Sequence, residues 1–114
     1  MTVTHDYSGR AAVITGGARG IGLATAKRLH ISGANVSLWD MDAERLEKVK
    51  SSFSSPIDTQ VVDITDWDSV QGAANKSNSS MGNIDILVNS AGVAGPNFKT
   101  WEYPVDEWKK VVDI

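Results

Sequence analysis

The chain has no cysteine, no long apolar run and no surplus of basic residues. Without cysteine there is no disulfide, thiolate metal site or cysteine nucleophile, which fits a reducing compartment. No stretch approaches the ~18 apolar residues that a membrane-spanning helix needs, so no membrane partner is expected. The 11 Lys and Arg are outnumbered by 14 Asp and Glu, giving a net charge of −3. The basic side chains are scattered, which is not the footprint of a nucleic-acid binder. His5 and His30 have no neighbour at ligand spacing, and no metal is expected. The polar start Met1–Arg10 has no apolar core of a secretion signal, so the expected location is the cytoplasm and the Asn-x-Ser triplets at Asn35, Asn75 and Asn78 carry no meaning. What remains is 114 residues, 41% hydrophobic and 22% charged, the composition of one globular domain.

Strands and helices alternate along it. Arg10-Ala-Ala-Val-Ile-Thr15 is a short apolar run bounded by glycine, the pattern of a strand buried on both faces. A glycine turn follows, then a helix over Ile21 to Ser32 that stops at Gly33. Asn35 to Asp40 predicts a second strand, with Asp42 as N-cap of a helix carrying Leu46, Val49 and Phe53 on one face, supported by a Glu44–Lys48 pair and broken at Pro56. A third strand is expected at Gln60-Val61-Val62, and a third helix capped by Asp66 with Val70, Ala73 and Ala74 inward. The Ser- and Asn-rich stretch Asn75 to Asn83 reads as a loop. Ile84 to Val88 reads as a fourth strand, and a last helix begins near Val105 with Trp108, Val111 and Val112 on one face. Trp67, Trp101 and Trp108 are expected to be packing residues. Such alternation indicates βαβ units on a parallel sheet.

Thr15-Gly16-Gly17-Ala18-Arg19-Gly20-Ile21-Gly22 lies at the first strand-to-helix junction. A phosphate there needs bare backbone, because a side chain would hold the anion away from the N–H groups and the positive end of the helix dipole. Out of context the glycines could form only a flexible turn; after a strand and before a helix they read as a phosphate cradle. Gly16, Gly20 and Gly22 are spaced G-x-x-x-G-x-G, unlike the Rossmann G-x-G-x-x-G, and no lysine follows to make a P-loop. Asp40, 20 residues after Gly20, ends the second strand. A carboxylate there can accept from the ribose hydroxyls of an adenosine and repel a 2′-phosphate, or it can simply start the next turn. It favours NAD over NADP, although Arg19 could hold a 2′-phosphate.

Together with Asp63 and Asn89-Ser90-Ala91-Gly92, these motifs resemble the N-terminal half of the short-chain dehydrogenase/reductase family, of the 3-oxoacyl-acyl-carrier-protein reductase and sugar-alcohol dehydrogenase type. The resemblance implies an α/β fold, a Rossmann-type doubly wound parallel sheet of which this is the βαβαβαβ half. It implies NAD as cofactor, an alcohol or ketone as substrate (3-oxoacyl, polyol or sugar-like), and a homo-oligomer, a tetramer. By the same resemblance, Gly16, Gly20 and Gly22 line the pyrophosphate with the Ile21 backbone. Asp40 and Met41 bound the adenosine ribose, with Arg19 beside it. Asp63 and Ile64 flank adenine, Asp63 being alternatively a turn residue before Asp66. Asn89, Ala91 and Gly92 lie along the cofactor, Asn89 alternatively tying strands together. Ser90 stands where the family more often has a second asparagine.

The family's Tyr-x-x-x-Lys pair, which moves the alcohol proton, has no match here: Ala11 lies four residues after Tyr7, and Glu107 four after Tyr103. No catalytic residue is therefore assigned. Residues 1–114 are expected to form the dinucleotide-binding unit, ending before the catalytic half, with Phe98 and Trp101 near the substrate. The alternative is a non-catalytic module that senses NAD.

Overall fold

The computed structural model describes residues 3–114. Four strands, β1 (Ala11–Thr15), β2 (Asn35–Asp40), β3 (Asp58–Val61) and β4 (Ile86–Asn89), form one all-parallel sheet in the order β3-β2-β1-β4. Helices α1 (Gly20–Ile31), α2 (Ala43–Lys50) and α3 (Trp67–Met81) join successive strands, and α4 (Val105–Asp113) follows β4. This is the expected α/β arrangement, and the strand order reverses between β1 and β4.

Period-two alternation divides the core into two layers. Ala12, Ile14, Val36 and Leu38 point to one face and pack with Ala26 of α1 and Leu46 and Val49 of α2. Val13 and Trp39 point to the other and pack with Val62, just past β3, and with Ala73 of α3. Covering both faces is what makes continuous apolar strands possible, and each fully buried Ile14 or Leu38 side chain contributes about 1.5–3 kcal/mol. The second layer also holds a polar cluster. Trp39 Nε1 donates to Ser37 Oγ and Ser77 Oγ, each at 3.1 Å. Both hydroxyls donate to Asp58 Oδ2, at 2.6 and 2.8 Å. At the base of the sheet Asp85 brackets the start of β1: its N–H donates to the Ala11 carbonyl and its carboxylate accepts from the Ala11 N–H, both at 2.9 Å.

Several sequence expectations need correction. The stretch Asn75–Asn83 is helical through Met81, not a loop, because Ser77 faces the core and Asp58 satisfies its hydroxyl; Gly82, at φ +81, ends the helix. α2 ends at Lys50, well before Pro56, and Phe53 packs on the core from the turn beyond it. β3 begins at Asp58 and β4 at Ile86. Trp67, Trp101 and Trp108 are not core residues; they are 73%, 80% and 61% exposed. Trp67 opens α3 on its outer side, Trp101 sits in a short 3-10 turn (Thr100–Glu102) with the Lys99 ammonium 5.7 Å from its ring centroid, and Trp108 lies on α4, which buries no residue. The Asp42 and Asp66 caps and the Glu44–Lys48 pair form as expected. No helix of the described residues is long and apolar enough to cross a membrane.

Candidate functional site

A cavity of about 480 Å³ opens at the carboxyl ends of all four strands, where the strand order reverses. Gly16, Arg19, Gly20 and Ile21 line it from the β1–α1 turn. Trp39, Asp40, Met41 and Asp42 do so from the end of β2, Val62 and Ile64 from the end of β3, and Ser90 to Val93 from the end of β4. A volume of this size suits a ligand as large as a nucleotide.

The glycines of the turn have different reasons to be glycine. Gly16 has φ +63, and a Cβ there would lie 2.8 Å from Ala91 Cα, so a side chain would push β4's end off the turn. A Cβ on Gly22 would fall on the Gly16 carbonyl and 3.2 Å from Ser90 Oγ. These two permit close packing of backbone on backbone. Gly20 has φ +58, yet a Cβ there meets nothing within 4 Å. Open space therefore lies over the start of α1. Thr15 fixes the opposite wall: its Oγ1 accepts from the Ser90 and Ala91 N–H groups, at 3.1 and 3.2 Å.

That open space faces an unsatisfied helix end. α2 and α3 each begin with an aspartate whose carboxylate accepts a backbone N–H and an acidic residue in the first turn. α1 has neither: Arg19, at its N-cap, makes no side-chain cap bond, and its first turn has no acid. The first turn of α1 thus has neither a side-chain cap nor an acidic residue to offset its N–H groups and positive dipole end, an arrangement that could accept an anion.

The end of β2 presents charge of both signs. Asp40 Oδ1 accepts from the Asp42 N–H at 3.1 Å and Oδ2 from the Ala18 N–H at 3.3 Å, tying β2 to the glycine turn. Asp42 Oδ1 accepts from the Arg45 N–H at 3.0 Å, while Oδ2 pairs with the Arg19 guanidinium at 2.8 Å. The Arg45 N–H, with the Arg19 charge adding to it, holds the Asp42 carboxyl below the usual aspartate range.

The structure thus brings Gly16, Arg19, Gly20, Ile21, Asp40, Met41, Ile64, Ala91 and Gly92 to one cavity. Gly22, Asp63 and Asn89 do not line it. Gly22 packs beneath Gly16; Asp63 closes a turn by accepting from the Thr65 hydroxyl at 2.6 Å and N–H at 3.0 Å, which lowers its pKa; Asn89 lies in β4 beside Thr15. The sequence reading missed Trp39 and Asp42 as lining residues. Asp42 carried only a helix-cap signal, and Trp39, on the face of β2 shared with Asn35 and Ser37, carried none; most of it lies in the core. Phe98 stacks edge-on against Tyr103, and neither it nor Trp101 reaches the cavity. Among the described residues, no cluster of three or more His, Asp or Glu could hold a metal ion.

Comparison with known proteins follows the same geometry. The 2-dehydro-3-deoxy-L-rhamnonate dehydrogenase (NAD(+)) of Sphingomonas sp. (strain SKA58) is 39% identical over 110 residues, 95% of this chain and 43% of that protein. Levodione reductase of Leifsonia aquatica is 34% identical over 116 residues, 97% of this chain and 43% of the reductase. The crystal structure of NAD+-bound xylitol dehydrogenase superposes with a TM-score of 0.91 at 34% identity, covering 96% of this chain and 44% of that one. The chain thus spans under half the length of these relatives. The short chain dehydrogenase family model matches residues 10–114. A match running from the residue before β1 through α4 leaves no element of the fold outside it, and the chain belongs to the short-chain dehydrogenase family.

Proposed function

We propose that residues 1–114 form the dinucleotide-binding unit of an oxidoreductase that transfers hydride between a nicotinamide cofactor and an alcohol or ketone. The observation that carries this reading is the open space over Gly20, against the uncapped start of α1 and within a cavity to which all four strand ends contribute. Gly16, Gly20 and Ile21 would hold the pyrophosphate through backbone N–H groups, and Gly22 keeps the turn tight enough to do so. Asp40, with Met41 beside it, would receive the adenosine ribose, and Ile64 an adenine face. Asp63 would reach the adenine amine only by leaving Thr65. Ala91 and Gly92 would run along the cofactor, and Asn89 would support them from β4. The bound cofactor supplies hydride acceptance or donation at its nicotinamide. The chain's own residues bind and orient it.

A carboxylate at Asp40 would favour NAD over NADP if the ribose lies beside it, and the names of the rhamnonate dehydrogenase and the xylitol dehydrogenase structure both include NAD. The substrate class, a 3-oxoacyl, polyol or sugar-like alcohol or ketone, rests on the family resemblance, as does a homotetrameric assembly, and a cytoplasmic setting rests on the lack of cysteine. The half-exposed apolar edge strand β4, with Leu87 60% exposed, is consistent with further protein packing there.

Titration with NADH tests the reading, using energy transfer from tryptophan to the reduced nicotinamide. Trp39 in the cavity wall should give a saturable response. A response that stays linear and unsaturated to millimolar NADH would leave the site without its ligand.

A further inference from the structure

Among the described residues, Arg19 is the one cation lining the cavity, and it is already engaged. Its guanidinium lies 2.8 Å from Asp42 Oδ2, while Asp42 Oδ1 is held by the Arg45 N–H at 3.0 Å. Capping α2 therefore fixes the direction in which Asp42 presents its second oxygen. Arg45 braces the same corner, its Nε donating to the Ala18 carbonyl at 3.2 Å. The glycine turn and the start of α2 are thus joined around the acidic end of β2, where Asp40 stands. A phosphate on the adenosine ribose would need Arg19 as its counter-ion. It would have to compete with Asp42 for that arginine and approach two carboxylates.

We propose that Asp42 is a specificity-determining residue of this site, which selects the dinucleotide without a 2′-phosphate by holding Arg19 in an ion pair. The inference rests on the nicotinamide-dinucleotide reading above and adds a second determinant to Asp40. The pair is solvent-exposed, with side chains 58% and 42% exposed, so it contributes little to stability. Its consequence is directional: it decides where the Arg19 guanidinium points.

The test is calorimetric titration of NADH and NADPH into the unsubstituted chain, Asp42→Asn, and Asp42→Asn combined with Arg19→Ala. Asparagine caps helices as well as aspartate does, so α2 keeps its Arg45 bond while the charge on Arg19 is released. Asp42→Ser, also a good cap without charge, is the second variant should the first fold poorly. The expected result is NADH preference in the unsubstituted chain and a shift of about fivefold or more toward NADPH in the Asp42 variants. The shift should vanish when Arg19 is also removed. An unchanged NADH-to-NADPH ratio in both Asp42 variants overturns the inference, as does a shift that survives loss of Arg19 or an unsubstituted chain that prefers NADPH. Each of these leaves NADH binding intact and so is distinct from failure of the dinucleotide reading. Absence of saturable binding of either dinucleotide to the unsubstituted chain overturns both.

Discussion

Replacing Gly20 by alanine separates binding from stability. Gly20 has φ +58, and a left-handed conformation costs an alanine about 1–2 kcal/mol. No steric cost adds to this, because nothing lies within 4 Å of the new methyl. For a domain of roughly 100 residues, that loss lowers Tm by about 4–8 °C per kcal/mol. The chain should therefore still fold at 25 °C. Binding should suffer far more, since the methyl enters the space over the first N–H groups of α1. Losing two charge-assisted hydrogen bonds at about 1.5–3 kcal/mol each weakens NADH binding by roughly 100-fold or more. Gly22→Ala provides the contrast. Alanine gains about 1 kcal/mol as a helix former, but its Cβ would fall on the Gly16 carbonyl, where overpacking costs about 1–3 kcal/mol and displaces the turn itself. Thermal melting by circular dichroism and NADH titration on the same samples measure both effects. A Gly20→Ala chain that melts a few degrees low yet binds NADH like the unsubstituted one refutes the phosphate seat.

Two further predictions concern the structure around the site. Ser77→Ala removes a hydroxyl that donates to Asp58 and accepts from Trp39 Nε1; because Ser37 still serves both groups, urea denaturation should show a loss of only about 1–2 kcal/mol. Removing Ser37 as well leaves the buried indole N–H unpartnered and should cost more than the two single losses together; simple additivity would contradict this cooperative reading. The Asp42 carboxyl, held low by the Arg45 N–H first and Arg19 second, should titrate below a free aspartate by carbon NMR. Since its folded-state pKa is depressed, its stabilisation is complete above the unfolded-state value and is lost as pH falls through the lower folded one. A midpoint at or above that of free aspartate would contradict the cap geometry.

The parts legible in the sequence are those set by backbone chemistry. The glycine turn, the two aspartate caps and β2 from Asn35 to Asp40 need particular residue types at particular positions, and those types stand in the sequence. What long-range contacts decide was not legible. Composition alone makes Asn75–Asn83 a loop, and only the burial of Ser77 against Asp58, 19 residues away, explains why α3 continues. Aromatic size predicts burial for Trp67, Trp101 and Trp108, but burial also needs a covering surface, and α4 with its neighbouring turn has none here. Asp42 as a cavity residue was hidden because a cap signal says what one carboxylate oxygen does and nothing about the other.

The two kinds of recognition proposed for the site have different physical origins. The start of α1 forgoes the side-chain cap that α2 and α3 possess, a difference worth about 1 kcal/mol of helix stability. A carboxylate at its N-cap would regain that energy and would occupy the place proposed for the phosphate. The missing cap is therefore a stability deficit that a bound anion can offset, and it depends on backbone alone. In the proposed reading, choice between dinucleotides would depend instead on the side chains of Arg19, Asp40 and Asp42, of which Arg19 and Asp42 are joined by an exposed ion pair. On the proposed reading, phosphate grip and ribose selection would change independently: substitutions at Gly20 are expected to alter the first, and substitutions at Asp42 to re-aim the second without disturbing the fold that presents both.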